Sequence, residues 1–217
     1  MTNKIESILF DFDGTLLDTN ELITQTFLTV LNRHYPGRFT REDVSHFIGP
    51  SLQDTFDAID ASKTEQLIEE YREWNFAHHD DYAAPFERVN DVLFALRERG
   101  IRMAIVSTKR SDMIEKGLRL LEARDVFEEV VGLDHVTHAK PHPEPLERAM
   151  QAIDATPETT LMVGDNYHDI EGGHNAGVRT AAVAWSLKGE AFLQTFHPTY
   201  MLQSMDDLLR IVDEVNR

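Results

Sequence analysis

Apolar residues gather in short unbroken runs at some points along this chain and at helical spacing at others. The run Ser-Ile-Leu-Phe-Asp-Phe at 7–12 is too short for a helix and ends in the polar turn Asp13-Gly14-Thr15, the pattern of a buried strand. Asp18 followed three residues later by Glu21 predicts a capping box, and Leu22, Ile23, Phe27, Val30 and Leu31 share one helical face that Pro36-Gly37 ends. Three more helical patterns follow: a short one after Thr40, one opening at Ser51, and one carrying Leu67, Ile68, Tyr71 and Trp74. No strand pattern lies between Leu17 and Ala84, and the residue before Pro85 disfavours helix, marking a boundary.

Beyond that boundary the pattern alternates. Val92, Leu93 and Leu96 predict a helix stopped by Gly100, followed by a strand at 101–106. Met113, Ile114, Leu118 and Leu121 predict the next helix, then a strand at 126–131. Leu146, Ala149, Met150 and Ile153 mark another helix before a strand at 160–163. A helix over 167–176 and a strand at 180–184 come next, and Leu208, Leu209, Ile211, Val212 and Val215 form a closing amphipathic helix. Alternating strands and helices predict parallel pairing through right-handed crossovers, hence an α/β, doubly wound parallel sheet with a Rossmann-like core. The helical stretch interrupts that alternation after the first strand. The expected organisation is a core of residues 1–15 and 85–217 with an inserted α-helical domain over 16–84.

Composition narrows the function. The 217 residues contain no cysteine, which removes disulfides, thiolate metal sites and cysteine nucleophiles together and fits a reducing compartment. The amino-terminal stretch lacks a basic segment followed by an apolar run, and no stretch reaches a membrane-spanning length, so a cytoplasmic protein is expected. With 21 Lys and Arg against 38 Asp and Glu, the net charge of -17 repels nucleic acid and anionic membranes. It also repels an anionic substrate, so phosphate chemistry requires a cation at the site.

In an open parallel sheet the functional side chains sit beyond the carboxyl ends of the strands. The first strand ends in Asp11 and Asp13, the second in Ser107-Thr108, and the strand at 160–163 in Gly164-Asp165 with Asp169 one turn on. Lys140 precedes Pro141 at a helix entrance. Asp11 and Asp13, at i and i+2, point to one side, and such paired anions demand a cation or a raised pKa. Together with Asp165 and Asp169 they fit a hard cation with oxygen ligands, most simply Mg²⁺, while Lys140 and the Ser107 hydroxyl suit phosphoryl oxygens.

Asp11-Phe12-Asp13-Gly14-Thr15, Ser107, Lys140-Pro141 and Gly164-Asp165-Asn166-Tyr167-His168-Asp169 resemble the four ordered motifs of the haloacid dehalogenase (HAD) superfamily. The insertion after the first motif resembles that family's helical cap of the first type. The resemblance implies that Asp11 is the nucleophile forming an aspartyl-phosphate, and that Asp13 protonates the leaving oxygen and then activates water. It implies Mg²⁺ held by Asp11, the Asp13 carbonyl and Asp165, with Asp169 in support, and transition-state charge stabilised by Ser107 and Lys140. Gly14, Thr15, Gly49, Ser107, Thr108, Lys109 and Lys140 are the expected substrate-binding residues, and the cap is expected to close over the leaving group.

A second aspartate at Asp13 favours phosphoryl transfer over dehalogenation, and Lys63, the only lysine between Asp18 and Ala84, matches no phosphonatase motif. Segments such as Phe47-Ile48-Gly49-Pro50-Ser51-Leu52 and His138-Ala139-Lys140-Pro141 resemble a pyrophosphatase of the superfamily. This implies hydrolysis of inorganic pyrophosphate to phosphate and a functional link to a serine-phosphorylated carrier protein. The alternatives are a phosphoglycolate or sugar-phosphate phosphatase, a phosphomutase, or a non-enzymatic phosphoacceptor; monomer or dimer stays open. His138 and His142 are read as loop residues and His78-His79-Asp80-Asp81 as a solvated helix end, neither as a metal set. Phe27, Phe56 and Trp74 are read as packing residues, not a ligand cage.

Overall fold

A computed structural model describes residues 4–217; Met1–Asn3, part of the stretch read for a leader, lie outside the described residues. The chain forms two compact units, one of the described residues up to Leu17 with Pro85–Arg217, the other Asp18–Ala84. In chain order, β1 (Ser7–Phe10) begins the first unit and β2 (Leu17–Asp18) leads out of it. The second unit holds α1 (Asn20–His34), α2 (Arg41–Ser45), α3 (Leu52–Asp60) and α4 (Thr64–Tyr82). The chain returns through β3 (Ala84–Pro85) to α5 (Val89–Glu98), β4 (Arg102–Val106), α6 (Ser111–Leu118), β5 (Glu129–Val131), α7 (Glu144–Ala152) and β6 (Thr160–Gly164). It ends with α8 (Tyr167–Asn175), β7 (Arg179–Val183), α9 (Glu190–Gln194), β8 (Tyr200–Leu202) and α10 (Asp206–Val215).

The first unit is built on a six-stranded sheet in the order β5-β4-β1-β6-β7-β8 with parallel pairing throughout. β1 is central and buried along its whole length, as expected of an apolar run covered on both faces. From β1 the chain builds outward to β4 and β5 on one side and to β6, β7 and β8 on the other, so the switch point lies at β1. The register sets Phe10 beside both Ile105 and Val163. Asp11, Val106 and Gly164 therefore follow abreast at the carboxyl edge. Ser7 and Thr160, paired in register, also share a buried hydroxyl hydrogen bond of 2.7 Å at the opposite end. Leu9, Ala104, Val106, Val131 and Met162 from the strands pack against Leu146, Ala149, Met150 and Ile153 around α7. Burying each large side chain there is worth about 1.5–3 kcal/mol.

Three elements depart from the expected pattern. The single strand at 126–131 is a short 3-10 turn at Arg124–Val126 followed by the three-residue β5. α9 and β8 had no clear sequence pattern; of β8 only Leu202 is buried, which leaves no alternation to read.

The second unit has its own core. The Phe27 ring on α1 lies 4.7 Å from Tyr71 on α4 and 5.5 Å from both Phe47 and Phe56. Trp74 stacks on His78 at 4.0 Å. Buried Asn75 of α4 donates to the Thr26 hydroxyl of α1 across 3.1 Å, satisfying a polar contact within the apolar packing. Thr40 and Asp43 form a reciprocal capping box at the start of α2. The box expected from Asp18 and Glu21 is not formed: Thr19 is the cap residue, and the Glu21 carboxylate pairs with Arg41 and Gln25 instead. His79 is fully buried, which corrects its reading as part of a solvated helix end; it falls on the same helical face as Ile68, Tyr71 and Asn75. Among the described residues, no helix is long and apolar enough to cross a membrane.

Candidate active site

The site is built where β1, β4 and β6 end. The Asp11 amide donates to the Val163 carbonyl across 2.8 Å, continuing the ladder with β6 and leaving the Asp11 side chain buried at the sheet edge. The chain then turns through Gly14, whose φ of +77° places it in the left-handed region. A β-carbon at Gly14 would overlap the Asp165 carboxylate, so the missing side chain is what lets the acid approach the turn.

Lys140 reaches this edge from the loop before α7. Its buried ammonium donates to Asp11 Oδ1 at 2.9 Å, to Asp169 Oδ1 at 2.6 Å and to the Val106 carbonyl at 2.6 Å, using all three of its hydrogens. The other Asp169 oxygen accepts the Asn166 amide at 3.0 Å and so caps α8. A β-carbon at Gly164 would overlap the Asp169 carboxyl, which couples the strand end to that cap. Asn175 donates to the Pro141 carbonyl at 2.9 Å, fastening the Lys140 loop to α8.

The buried charge does not balance. Asp11, Asp165 and Asp169 are buried around one ammonium, and their oxygens lie within 4.8 Å of one another. Burial pushes the Asp11 carboxyl up to about 7, with Lys140 opposing and Asp169 and Asp13 adding to the rise. Burial, then Asp11 and Asp169, raise Asp165 well above the usual carboxylate range. Burial acts against the charge on Lys140, but Asp11 and Asp169 outweigh it and hold the ammonium charged. Clustered carboxylate oxygens with more charge than Lys140 neutralises, lining a notch kept open by Gly14, fit a hard divalent cation such as Mg²⁺.

Asp13 lies beside this cluster and pairs with Lys109 Nζ at 2.7 Å. Lys109, expected among the substrate-binding residues, thus contacts the second aspartate of the first motif. The Ser107 hydroxyl is buried at the end of β4 and accepts the Lys109 amide at 3.2 Å, and Thr108 beside it is half-buried. Thr15 is fully buried, and its hydroxyl has no hydrogen-bond partner among the described residues. Gly49 belongs to the second unit, between α2 and α3, with φ of +115°.

Two contributors have no counterpart in the sequence reading. The Ser186 hydroxyl donates to the Asp165 carbonyl at 2.6 Å and fixes the turn after β6. Lys188, two residues on, has its pKa lowered by burial, with Asp165 opposing. Both follow β7, and asking what that strand delivers at its carboxyl end points to them, as it does to Asp11 and Asp165.

The model for haloacid dehalogenase-like hydrolases matches residues 8–183. The chain is 52% identical to pyrophosphatase PpaX of Bacillus anthracis over 214 residues, covering 99% of both chains. It is 51% identical to pyrophosphatase PpaX of Bacillus thuringiensis over the same length and coverage. In structure it is similar to a Bacteroides fragilis protein described as haloacid dehalogenase-like, with a TM-score of 0.89 and 30% identity over 94% of this chain and 100% of that one. With the acidic notch at the switch point and a family match spanning both units, the chain belongs to the haloacid dehalogenase-like hydrolases.

Proposed function

We propose that this hydrolase cleaves inorganic pyrophosphate to two phosphates, depends on Mg²⁺ and works through an aspartyl-phosphate on Asp11. The observation that carries the chemistry is Lys140, which joins Asp11 to Asp169 beneath the strand ends and supplies positive charge where a phosphoryl group attached to Asp11 would sit. The substrate rests on the full-length similarity to proteins named pyrophosphatase.

An Asp11 carboxylate oxygen attacks one phosphorus in line, and the bridging P–O bond breaks towards the departing phosphate. Asp13 gives that phosphate a proton. The same carboxylate then takes a proton from a water that attacks the phosphorus of the aspartyl-phosphate, releasing the second phosphate and restoring Asp11. Lys109 holds the Asp13 side chain at 2.7 Å, fixing the proton carrier beside the nucleophile. Lys140, with the Ser107 hydroxyl, stabilises the charge spread over the transferring group. Asp11, Asp165, Asp169 and the Asp13 carbonyl are the groups that would hold Mg²⁺, which supplies the positive charge that offsets carboxylate and substrate.

Phosphate release from pyrophosphate, phosphoglycolate and hexose phosphates, with and without Mg²⁺, tests both halves. The expected result is preference for pyrophosphate, dependence on Mg²⁺ and loss of turnover in Asp11→Asn. Preference for the phosphomonoesters overturns the substrate, and equal release by wild type and Asp11→Asn overturns the mechanism.

A further inference from the structure

On the exposed side of the Lys140 loop, two imidazoles and a carboxylate converge. The rings of His138 and His142 stack with centroids 4.5 Å apart and planes inclined by 27°. Glu144, the first residue of α7, places Oε2 3.0 Å from His138 Nδ1. One ligand atom from each of the three lies within 4.8 Å of the others, and both histidines are open to solvent.

The carboxylate is already fixed in place. Its Oε1 accepts the Thr137 amide at 2.7 Å and its Oε2 the His138 amide at 2.9 Å. His142 Nδ1 accepts the Glu144 amide at 3.2 Å, so this nitrogen faces the same residue. A modest turn of an exposed ring redirects it.

We infer that His138, His142 and Glu144 form a site for a transition-metal ion of the zinc class, separate from the acidic notch. Two imidazoles and one carboxylate are a zinc ligand set that leaves the fourth position to water. Metal bonds of about 2.0–2.1 Å bring tetrahedral ligands to roughly 3.3 Å from one another, a closure that exposed side chains make without moving the backbone. Mg²⁺ prefers oxygen donors and goes to the aspartates, so the two sites sort cations by ligand chemistry. Because His138 and His142 bracket Lys140, an ion there ties together the two ends of the loop that carries it.

Calorimetric titration of Zn²⁺ into the full chain, with Mg²⁺ saturating, tests the site in the wild type, His138→Ala, His142→Ala and Asp11→Asn. The expected result is one equivalent bound by wild type and by Asp11→Asn, with affinity weakened about tenfold or more in either histidine variant. Unweakened binding in His142→Ala overturns the proposal, as does loss of the equivalent in Asp11→Asn, which would place the zinc among the aspartates. The imidazole nitrogen resonances of the wild type give a readout that needs no variant. Zn²⁺ is expected to shift those of His138 and His142; shifts confined to other histidines overturn the site.

Discussion

Lys140 and Asp11 stand 129 positions apart in the chain, yet the lysine ammonium meets the aspartate carboxylate at 2.9 Å in a buried setting. The same ammonium meets Asp169 at 2.6 Å, so one side chain bridges two acids. Lys140→Met keeps much of the volume and removes the charge. Without Mg²⁺ it is expected to destabilise the fold by roughly 3 kcal/mol, the scale of an orphaned buried partner, and less with Mg²⁺ bound. Turnover is expected to fall by about 10²–10³. Urea denaturation with and without Mg²⁺ and single-turnover kinetics check both. Stability and turnover close to wild type would remove Lys140 from the centre of the site.

Asp13 separates from the proposed Mg²⁺ ligands in its contacts, since its carboxylate pairs with Lys109. Asp13→Asn is therefore expected to leave Mg²⁺ affinity nearly unchanged by calorimetry while turnover drops by about 10²–10⁴, the range for a lost proton carrier. Asp11→Asn is expected to weaken both. A variant at Asp13 with full activity would end its assignment as acid and base.

The acids of the site were legible because parallel strands deliver their functional side chains at one edge: the runs ending at Phe10 and Gly164 point to Asp11 and Asp165 by topology. Lys140 was legible as a motif residue, but its grip on both Asp11 and Asp169 was not, since nothing local to 140 encodes two partners on distant elements. The Glu21 pairing shows the opposite case. Asp18 and Glu21 have the spacing of a capping box, and a guanidinium 20 positions away took the carboxylate instead. The approach of Glu144 to His138 and His142 was not legible for a related reason, because the histidines are loop residues by pattern and only the turn into α7 brings the carboxylate beside them.

The Glu21 pair gives a pH prediction. Hydrogen bonds from Arg41 and then Gln25 lower the Glu21 pKa from 4.5 to about 2. A folded-state pKa below the unfolded value means the stabilisation is complete above the ordinary carboxylate pKa and is lost as pH falls towards 2. With side chains 44% and 59% exposed, the pair is largely screened by solvent and contributes little to stability. The stability difference between wild type and Arg41→Gln is expected to be largest near neutral pH and to shrink as the solution is acidified below the ordinary glutamate value. Carboxyl NMR should show Glu21 titrating higher in the variant. A difference that grows with acid contradicts the assignment.

Gly14 and Gly100 make a matched pair for separating backbone strain from a site contact. Their φ angles are +77° and +76°, but a β-carbon at Gly100 meets nothing within 4 Å whereas one at Gly14 meets the Asp165 carboxylate. Gly100→Ala is expected to cost only the left-handed strain, about 1 kcal/mol, with Mg²⁺ binding intact. Gly14→Ala carries the same strain and must also displace Asp165. It is expected to lose roughly 1–2 kcal/mol more and to weaken Mg²⁺ on the order of tenfold. Denaturation curves and Mg²⁺ calorimetry on the two variants measure the difference. If they behave alike, Asp165 does not depend on the bare turn at Gly14, and the notch is kept open by the strand ends alone.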